Sequence, residues 1–102
     1  MHKREDLQTL LEKLLGSRNV YYQPPSTVRM SYPAIVYSKT RIESKFANDA
    51  AYSFSNCYEI TVIDKQPDPP LIYELLRLPY CSFESHYKAD NLNHYKLRIY
   101  LK

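Results

Sequence analysis

The first fifteen residues carry an apolar stripe at helical spacing. Five leucines recur at positions i, i+3, i+4, i+7 and i+8, namely Leu7, Leu10, Leu11, Leu14 and Leu15. Polar residues fill the other positions, which predicts an amphipathic α-helix over about residues 3–15. Gly16 follows where a left-handed C-terminal cap is needed. We expect the stripe to face the core, because apolar area costs about 25 cal/mol per Å² in water; a covering partner helix is the alternative.

Five further segments have the composition or alternation of β-strands. They span residues 20–22, 33–42, 57–64, 80–87 and 95–101. The clearest is 57–64, where Tyr58, Ile60 and Val62 share one face. In the last segment the apolar residues Tyr95, Leu97, Ile99 and Leu101 alternate with Lys96, Arg98, Tyr100 and Lys102. This alternation predicts a sheet with one packed face and one solvated face.

Residues 43–56, between the second and third predicted strands, are polar and have no regular period. Turn formers and small residues occupy their centre, residues 47–51. We predict a long hairpin with a mobile tip, and we interpret residues 43–56 as a docking loop outside the core.

A second helix is predicted over about residues 68–78. Asp68 is the expected N-cap, Pro69 and Pro70 suit the first turn, and Pro79 ends the helix after Leu78. The order of helix, short strand, two strands, helix and two strands predicts an α+β two-layer sandwich. We expect a single domain over residues 1–102, with a mostly antiparallel sheet of four to five strands and two helices packed on one face. A crossover through the second helix, giving one parallel strand pair, is an alternative.

Composition adds one unusual feature, an excess of tyrosine. The chain of 102 residues has eleven Tyr, three Phe and no Trp. Tyrosine suits surfaces shared between subunits, because its ring packs while its hydroxyl stays hydrated; strand preference is the simpler alternative. The formal charge is only +3, with basic residues scattered among acidic ones. This excludes a nucleic-acid-binding tail but leaves a weak affinity for DNA open.

The cysteines and the N-terminus indicate an intracellular setting. Cys57 and Cys81 fall in predicted strands without the spacing of a disulfide scaffold or a zinc site, so we expect free buried thiols. The charged start of the chain predicts no signal peptide, and no segment is long and apolar enough to span a membrane. We therefore expect a protein of the reducing cytoplasm that does not bind membranes.

The chain shows little equipment for catalysis. Its single glycine, Gly16, excludes glycine-rich phosphate loops. The densest titratable group is Glu84, His86 and Asp90 near His94. These side chains either exchange protons or simply form a turn. We expect no enzyme, no metal and no cofactor.

Two aspartates near the second helix also have two interpretations. Asp64 and Asp68 flank the turn that leads into it. They form a loose cation site or, with Asp68 as the helix cap, a structural turn.

Four ordered strings resemble a family of small proteins from long-tailed phages and prophages. They are YYQPP at 21–25, MSYPAIVY at 30–37, YEITVID at 58–64 followed by Pro67 and Asp68, and ADNLNH at 89–94. The ordered series is similar to the tail terminator, or tail completion, proteins encoded among the head-to-tail joining genes. The resemblance covers roughly residues 4–101, and no single string is diagnostic.

The resemblance implies a structural subunit of the virion. Such proteins form a hexameric ring that caps the tail tube and receives the head connector. The implied partners are further copies of the chain, the tail tube protein and the connector or stopper proteins. DNA would pass through the ring lumen without specific binding, and no cofactor is implied. The implied location is the head-tail junction of the virion, after assembly in the bacterial cytoplasm.

Partner contacts are assigned from exposure and residue type. The hypothesised interface residues are Lys45, Phe46, Asn48, Asp49, Tyr52, Asp90, Asn91, Asn93 and His94. A head-side adaptor or stopper, a minor capsid protein of the same neck, is the first alternative function. A DNA-binding module is the second, and salt-dependent binding to duplex DNA would distinguish it.

Overall fold

A computed structural model describes residues 4–47 and 50–101 of the protein, and within 43–47 and 50–54 it describes the backbone. The elements are α1 (Arg4–Leu15), β1 (Val20–Tyr22), β2 (Ala34–Ala47), β3 (Ala50–Asp64), α2 (Leu71–Leu76), β4 (Cys81–Ala89) and β5 (Leu92–Leu101). Their order is the predicted one, and the predicted α+β class is confirmed.

The five strands form one mixed sheet in the order β1-β2-β3-β5-β4. β1 and β2 are parallel, with Val20 opposite Ile35, and the other neighbouring strands are antiparallel. The parallel pair is therefore β1 with β2, at one edge of the sheet. The crossover alternative had instead expected a parallel pair between the two strands that α2 connects. α2 connects β3 to β4, which run in the same direction with β5 between them.

The leucine stripe of α1 faces the core, as predicted. Leu7 and Leu11 are fully buried, Leu14 and Leu15 pack partly against the core, and Leu10 is half-exposed. Gly16 ends the helix at a φ of 80°, and its N–H donates to the carbonyl of Glu12 at 2.9 Å. Glycine is suited to this left-handed position because it has no Cβ.

Both helices pack on the same face of the sheet. They contribute Leu7, Leu11, Leu71, Ile72 and Leu75 to one core cluster with the inward strand residues Val20, Ile35, Tyr37, Tyr58, Ile60, Val62, Tyr95, Leu97, Ile99 and Leu101. The predicted inward face of residues 58–62 and the alternation of the last strand are both confirmed. The result is a two-layer sandwich with its core between the helices and one sheet face.

Tyrosine accounts for part of this core. The ring centroids of Tyr22 and Tyr37 are 4.9 Å apart, and those of Tyr37 and Tyr58 are 6.1 Å apart. The Tyr37 hydroxyl donates to Gln8 Oε1, and the Arg4 guanidinium lies 4.4 Å from the Tyr22 ring centroid. These contacts join α1 to the sheet while satisfying a buried hydroxyl. Burial raises the pKa of Tyr37, and the hydrogen bond from Arg4 opposes that rise.

The segment predicted as a loop, residues 43–56, is instead part of two long strands. β2 continues to Ala47 and β3 begins at Ala50, with Lys45 opposite Ser53. β1 pairs with β2 only as far as Tyr37, and β5 pairs with β3 only from Asn56 onward. Residues 43–47 and 50–55 therefore form a two-stranded ribbon, here called the hairpin arm. Its sequence lacks the apolar alternation by which a strand is usually predicted.

The start of α2 also differs from the prediction. The helix begins at Leu71, with Pro70 at the N-cap position and no side-chain cap. Asp68 is not the N-cap; it has a φ of 50°, and its N–H donates to the Tyr95 hydroxyl at 2.7 Å. Two consecutive prolines remove amide donors that a capping carboxylate would bind. α2 ends at Leu76, two residues before the predicted end.

A tight hairpin joins β4 to β5. Ala89 pairs with Leu92, and the two residues between them, Asp90 and Asn91, have φ values of 52° and 61°. Two consecutive positive φ values define the type I′ turn that short hairpins favour. Both strands extend further toward this turn than predicted, because β4 ends at Ala89 and β5 begins at Leu92.

Candidate partner-binding surfaces

The two cysteines are free thiols, as predicted, and lie on opposite faces of the sheet; Cys57 is buried as expected, whereas Cys81 is only half-buried. Cys57 pairs with Tyr100, whereas Cys81 pairs with Ile99, the neighbouring residue of β5. Neighbouring strand residues point to opposite faces, so the two sulfurs cannot form a bond through the sheet. Burial raises the pKa of Cys81 to about 11, which keeps this thiol protonated and weakly nucleophilic at neutral pH.

Alkaline conditions are expected to destabilise the fold through Cys81. The pKa of this thiol rises from 9.0 to about 11 on folding because burial disfavours the thiolate. Above about pH 9 the unfolded chain loses the proton first, so stability is full below pH 9 and falls as the pH approaches 11. Denaturant unfolding between pH 8 and 11 should show a smaller decline for Cys81→Ala. Cys57→Ala, which retains Cys81, is the control; an unchanged slope in Cys81→Ala would contradict the assignment.

The titratable residues near the last turn do not come together as a catalytic group. His86 lies opposite Tyr95 on the helix-covered face, and its ring stacks on that of Tyr95 at 4.4 Å. His94 lies on the other face and stacks on Tyr87 at 4.7 Å. Glu84 accepts a hydrogen bond from Arg98 Nη2 at 2.7 Å. The sheet separates the two histidines, so they cannot exchange a proton directly.

The hypothesised interface residues fall at two ends of the sheet. Lys45, Phe46 and Tyr52 belong to strands of the hairpin arm, and Asn48 and Asp49 lie outside the described residues. The remaining residues are in or next to the β4-β5 turn: Asp90, Asn91, Asn93 and His94. β5 runs the length of the sheet between these ends, with Asp64 opposite Asn93 and Asn56 opposite Leu101.

Within the turn group, exposure differs between residues. Asp90 and Asn91 are exposed at the tip. Asn93 is buried; its Oδ1 lies 3.3 Å from His86 Nε2 and its Nδ2 donates to the Lys65 carbonyl at 3.5 Å. Asn93 therefore stabilises the turn by hydrogen bonds in the protein interior. The exposed surface of the turn is formed by Asp90 and Asn91.

The sheet face opposite the helices carries paired charges. Lys96 Nζ lies 3.5 Å from Glu59 Oε1, and Arg98 pairs with Glu84. Arg41 Nη2 donates to the Tyr100 hydroxyl. In this part of the described sheet the cations have anionic or aromatic neighbours, so the face offers no concentrated positive patch to nucleic acid.

A groove of about 320 Å³ lies beside the edge strand β4. Its walls come from α2, the segment before it and two strands: Asp68, Ile72, Tyr73, Leu76, Phe83, His86 and Tyr95. Two of its aromatic side chains are well exposed, Tyr73 at 60% and Phe83 at 48%. Large apolar side chains exposed together on a small protein often mark a binding surface.

The polar groups of the groove are only partly used. The Tyr95 hydroxyl accepts from the Asp68 N–H, and His86 is held by Asn93 and by stacking on Tyr95. Among the residues whose side chains the structure describes, 4–42 and 55–101, the Asp68 carboxylate has no ion pair. The groove thus combines two exposed aromatic rings with one exposed acidic residue, Asp68.

Sequence reasoning missed this groove. Its residues are separated along the chain and meet only because α2 packs beside β4. The one local signal was the aromatic character of exposed positions, since Tyr73 lies outside the apolar stripe of α2 and Phe83 interrupts a polar strand.

The fold and surfaces define a small α+β protein with a half-covered sheet, a projecting arm and an open edge strand beside a groove. No protein-family model, no curated protein and no solved structure matches the chain. In the part of the chain that the structure describes, no helix is long and apolar enough to cross a membrane. The same residues include no group of three or more His, Cys, Asp or Glu placed to hold a metal ion.

Proposed function

We propose that the protein is a structural subunit of the head-tail junction of a long-tailed phage or prophage, of the tail terminator type. In this role it forms a ring, hexameric in the family it resembles, that caps the tail tube and joins it to the head connector. The ordered strings over residues 21–25, 30–37, 58–64 and 89–94 support the proposal by resemblance. The geometry supports it independently through the distribution of surfaces.

The observation that carries the proposal is that one sheet holds two different candidate contact surfaces at separate places. The hairpin arm extends from the end where Asn56 pairs with Leu101, and the groove lies beside β4 on the helix-covered face. A ring made of identical subunits requires two unlike surfaces on each copy, because every copy contacts one neighbour with each. The exposed Tyr73, Tyr80 and Tyr87 supply side chains typical of such interfaces.

A DNA-binding role has less support from the structure. On the uncovered face Lys96 pairs with Glu59 and Arg98 with Glu84, and the net charge is only +3. A head-side adaptor or stopper uses the same kind of ring contact and differs in binding the head side. Binding to tail tubes rather than to the portal side separates these two roles.

Native mass spectrometry and negative-stain electron microscopy test the proposal directly. We expect closed rings of the purified protein, in greater yield when isolated tail tubes are present, and rings attached to tube ends. Monomers under every condition, including with tubes, would contradict the ring. Binding to duplex DNA whose affinity falls steeply between 50 and about 200 mM salt would favour the DNA-binding role instead.

A further inference from the structure

We propose that two copies of the chain pair through the open edge of β4 and form a two-fold symmetric dimer, in which the sheet continues from one copy into the other. The inference does not rest on the proposed ring, since it concerns the free protein. The dimer covers the groove beside β4, which is one of the two surfaces assigned to the ring, so the two assemblies compete for it.

The two edges of the five-stranded sheet differ in what they offer to another strand. At one edge β1 has only three residues, and both backbone groups of Val20 are bonded: its N–H donates to the Arg18 carbonyl at 2.8 Å and its carbonyl accepts from Gln8 Nε2 at 3.1 Å. At the other edge β4 has nine residues and no strand beyond it among the described residues. An unpaired strand edge is a template for pairing, so β4 is the edge at which a second copy can extend this sheet.

The backbone of β4 presents hydrogen-bonding groups to this edge. Alternate residues of an antiparallel strand direct their N–H and C=O groups to the same side. The Tyr80 carbonyl accepts from the Tyr100 N–H at 3.2 Å, toward β5, and at the other end the two-residue turn closes on Ala89. Counting inward from both ends, across the bulge after Phe83, places the N–H and C=O groups of Phe83 and His86 at the open edge. Each can exchange hydrogen bonds with an added strand.

The sequence of β4 matches itself in antiparallel orientation. Pairing with β5 puts Phe83 and His86 on the helix-covered face and puts three residues on the other face, namely Ser82, Ser85 and Tyr87. A register with Ser85 on the two-fold axis sets Phe83 opposite His86 of the second copy. The same register sets Ser82 opposite Tyr87, so opposed residues share a face along the whole strand. No like charges lie opposite each other, and the small serine lies where two identical side chains meet.

Other registers match less of the strand. A shift by one residue exchanges the faces, and a shift by two brings Phe83 or His86 opposite itself and leaves one end unpaired. The extra residue of the bulge, Glu84, is bonded to Arg98 of its own chain and stays outside the match. The full-length match therefore favours β4 of a second copy as the occupant. Because a two-fold contact uses the same surface on both copies, the pairing ends at two chains.

The side chains around this edge are suited to burial in a weak dimer. Tyr73, Phe83 and Tyr87 are 60%, 48% and 43% exposed, which amounts to about 300 Å² of aromatic surface on each copy at about 200 Å² per side chain. With the paired backbone, the two copies reach the low end of interface areas, below about 1,200 Å². Alternate side chains of the added strand enter the groove lined by Tyr73 and Phe83. We therefore expect a reversible dimer whose population rises with concentration.

A cysteine on the two-fold axis tests the register. Opposed residues that do not exchange hydrogen bonds have Cα atoms about 4.5 Å apart, a distance that a disulfide spans. We expect Ser85→Cys to form a disulfide-linked dimer under mild oxidation, identified by intact mass without reductant. Ser82→Cys is the matched control, since it lies on the same face but about 14 Å from its counterpart, four residues away at about 3.4 Å each. The unchanged protein controls for linkage through Cys57 or Cys81.

A proline tests the backbone hydrogen bonds. Since the His86 N–H faces the open edge, His86→Pro removes a donor from the dimer and none from the pairing with β5. His86→Ala is the matched control, because it loses the same side chain and keeps the N–H. We expect the dimer of the proline variant to dissociate about tenfold more readily than that of the alanine variant, because symmetry removes two bonds. Sedimentation over a concentration series measures both constants. Denaturant unfolding verifies that both variants fold, and the cysteine test decides alone if one does not.

Each result supports or overturns the contact. Linkage of Ser82→Cys, or no linkage of Ser85→Cys, would overturn the register, and equal dissociation constants for the two His86 variants would overturn the pairing of backbones. The arm-shortened variant, in which Asn-Gly replaces residues 45–53, should lose the proposed ring and keep the dimer. Loss of the dimer in this variant would make the hairpin arm the partner of β4 and would overturn the proposal.

The outcomes also separate this inference from the proposed function. Closed rings of the unchanged protein, with Ser85→Cys remaining unlinked, would overturn the dimer and leave the ring standing. Linked Ser85→Cys dimers, with no rings of the unchanged protein even on tail tubes, would support the dimer and overturn the ring. Monomers in every sample would overturn both.

Discussion

Replacing Leu11 by alanine is expected to lower the free energy of unfolding by about 2 to 5 kcal/mol. Leu11 is fully buried where α1 packs on the sheet, and it belongs to the single core cluster that joins both helices to the strands. The smaller side chain removes apolar contacts and leaves a cavity that the surrounding strands cannot fully close. Since a domain of this size has a stability of about 5 to 15 kcal/mol, this substitution removes a large share. Chemical denaturation measures the change.

Leu10→Ala is the matched control, because Leu10 lies on the same helix and is half-exposed. We expect this substitution to cost about 1 kcal/mol or less, since alanine also favours the helix. Equal losses from the two substitutions, or a loss below about 0.5 kcal/mol for Leu11→Ala, would mean that the stripe does not face the core.

The elements that the sequence predicts well are those with one side against the core. The leucine stripe identifies α1, and Tyr58, Ile60 and Val62 identify the inner face of β3. In both cases burial imposes a period of 3.6 or 2 on the apolar residues, so the pattern records the packing. Gly16 correctly predicts the end of α1, because the positive φ at this position favours a residue without a Cβ.

The hairpin arm could not be predicted in this way. Among the described residues, the backbone of 43–47 and 50–55 pairs only within this ribbon. Backbone pairing by itself leaves little trace in the sequence, and residues 43–56 show no alternation of apolar and polar positions. Polar residues with small turn formers at the centre therefore indicated a loop, and only the hairpin connection itself was predicted.

The groove was missed for a different reason. Asp68, Tyr73 and Phe83 lie in three separate segments that the β3-α2-β4 connection brings together. Asp68 matched the pattern of a helix cap, whereas the helix begins only after the two prolines, and Asp68 lines the groove with a φ of 50°. A site assembled from distant residues requires the topology to be known first, and β5 lying between β3 and β4 was not predicted.

Shortening the hairpin arm is expected to abolish assembly while leaving the fold intact. The arm-shortened variant, with Asn-Gly in place of residues 45–53, should retain a free energy of unfolding within about 1 kcal/mol of the unchanged protein. An isolated two-stranded ribbon contributes little stability of its own, and a shorter connection changes the closure entropy only slowly. Under the proposed head-tail function, lysates of a phage carrying this variant should contain filled heads and separate tails, because the proposed ring does not form.

Asp49→Gly is the control for this prediction, since it alters a central residue and leaves both strands of the arm at full length. Heads and tails should join normally in its lysates, which electron microscopy and infectious titre measure together. An arm-shortened protein that unfolds would show that the ribbon contributes to the folding unit and would contradict this prediction. If it folds and particles form at normal titre, the arm is not the docking element, and the exposed turn at Asp90 and Asn91 becomes the surface to alter next.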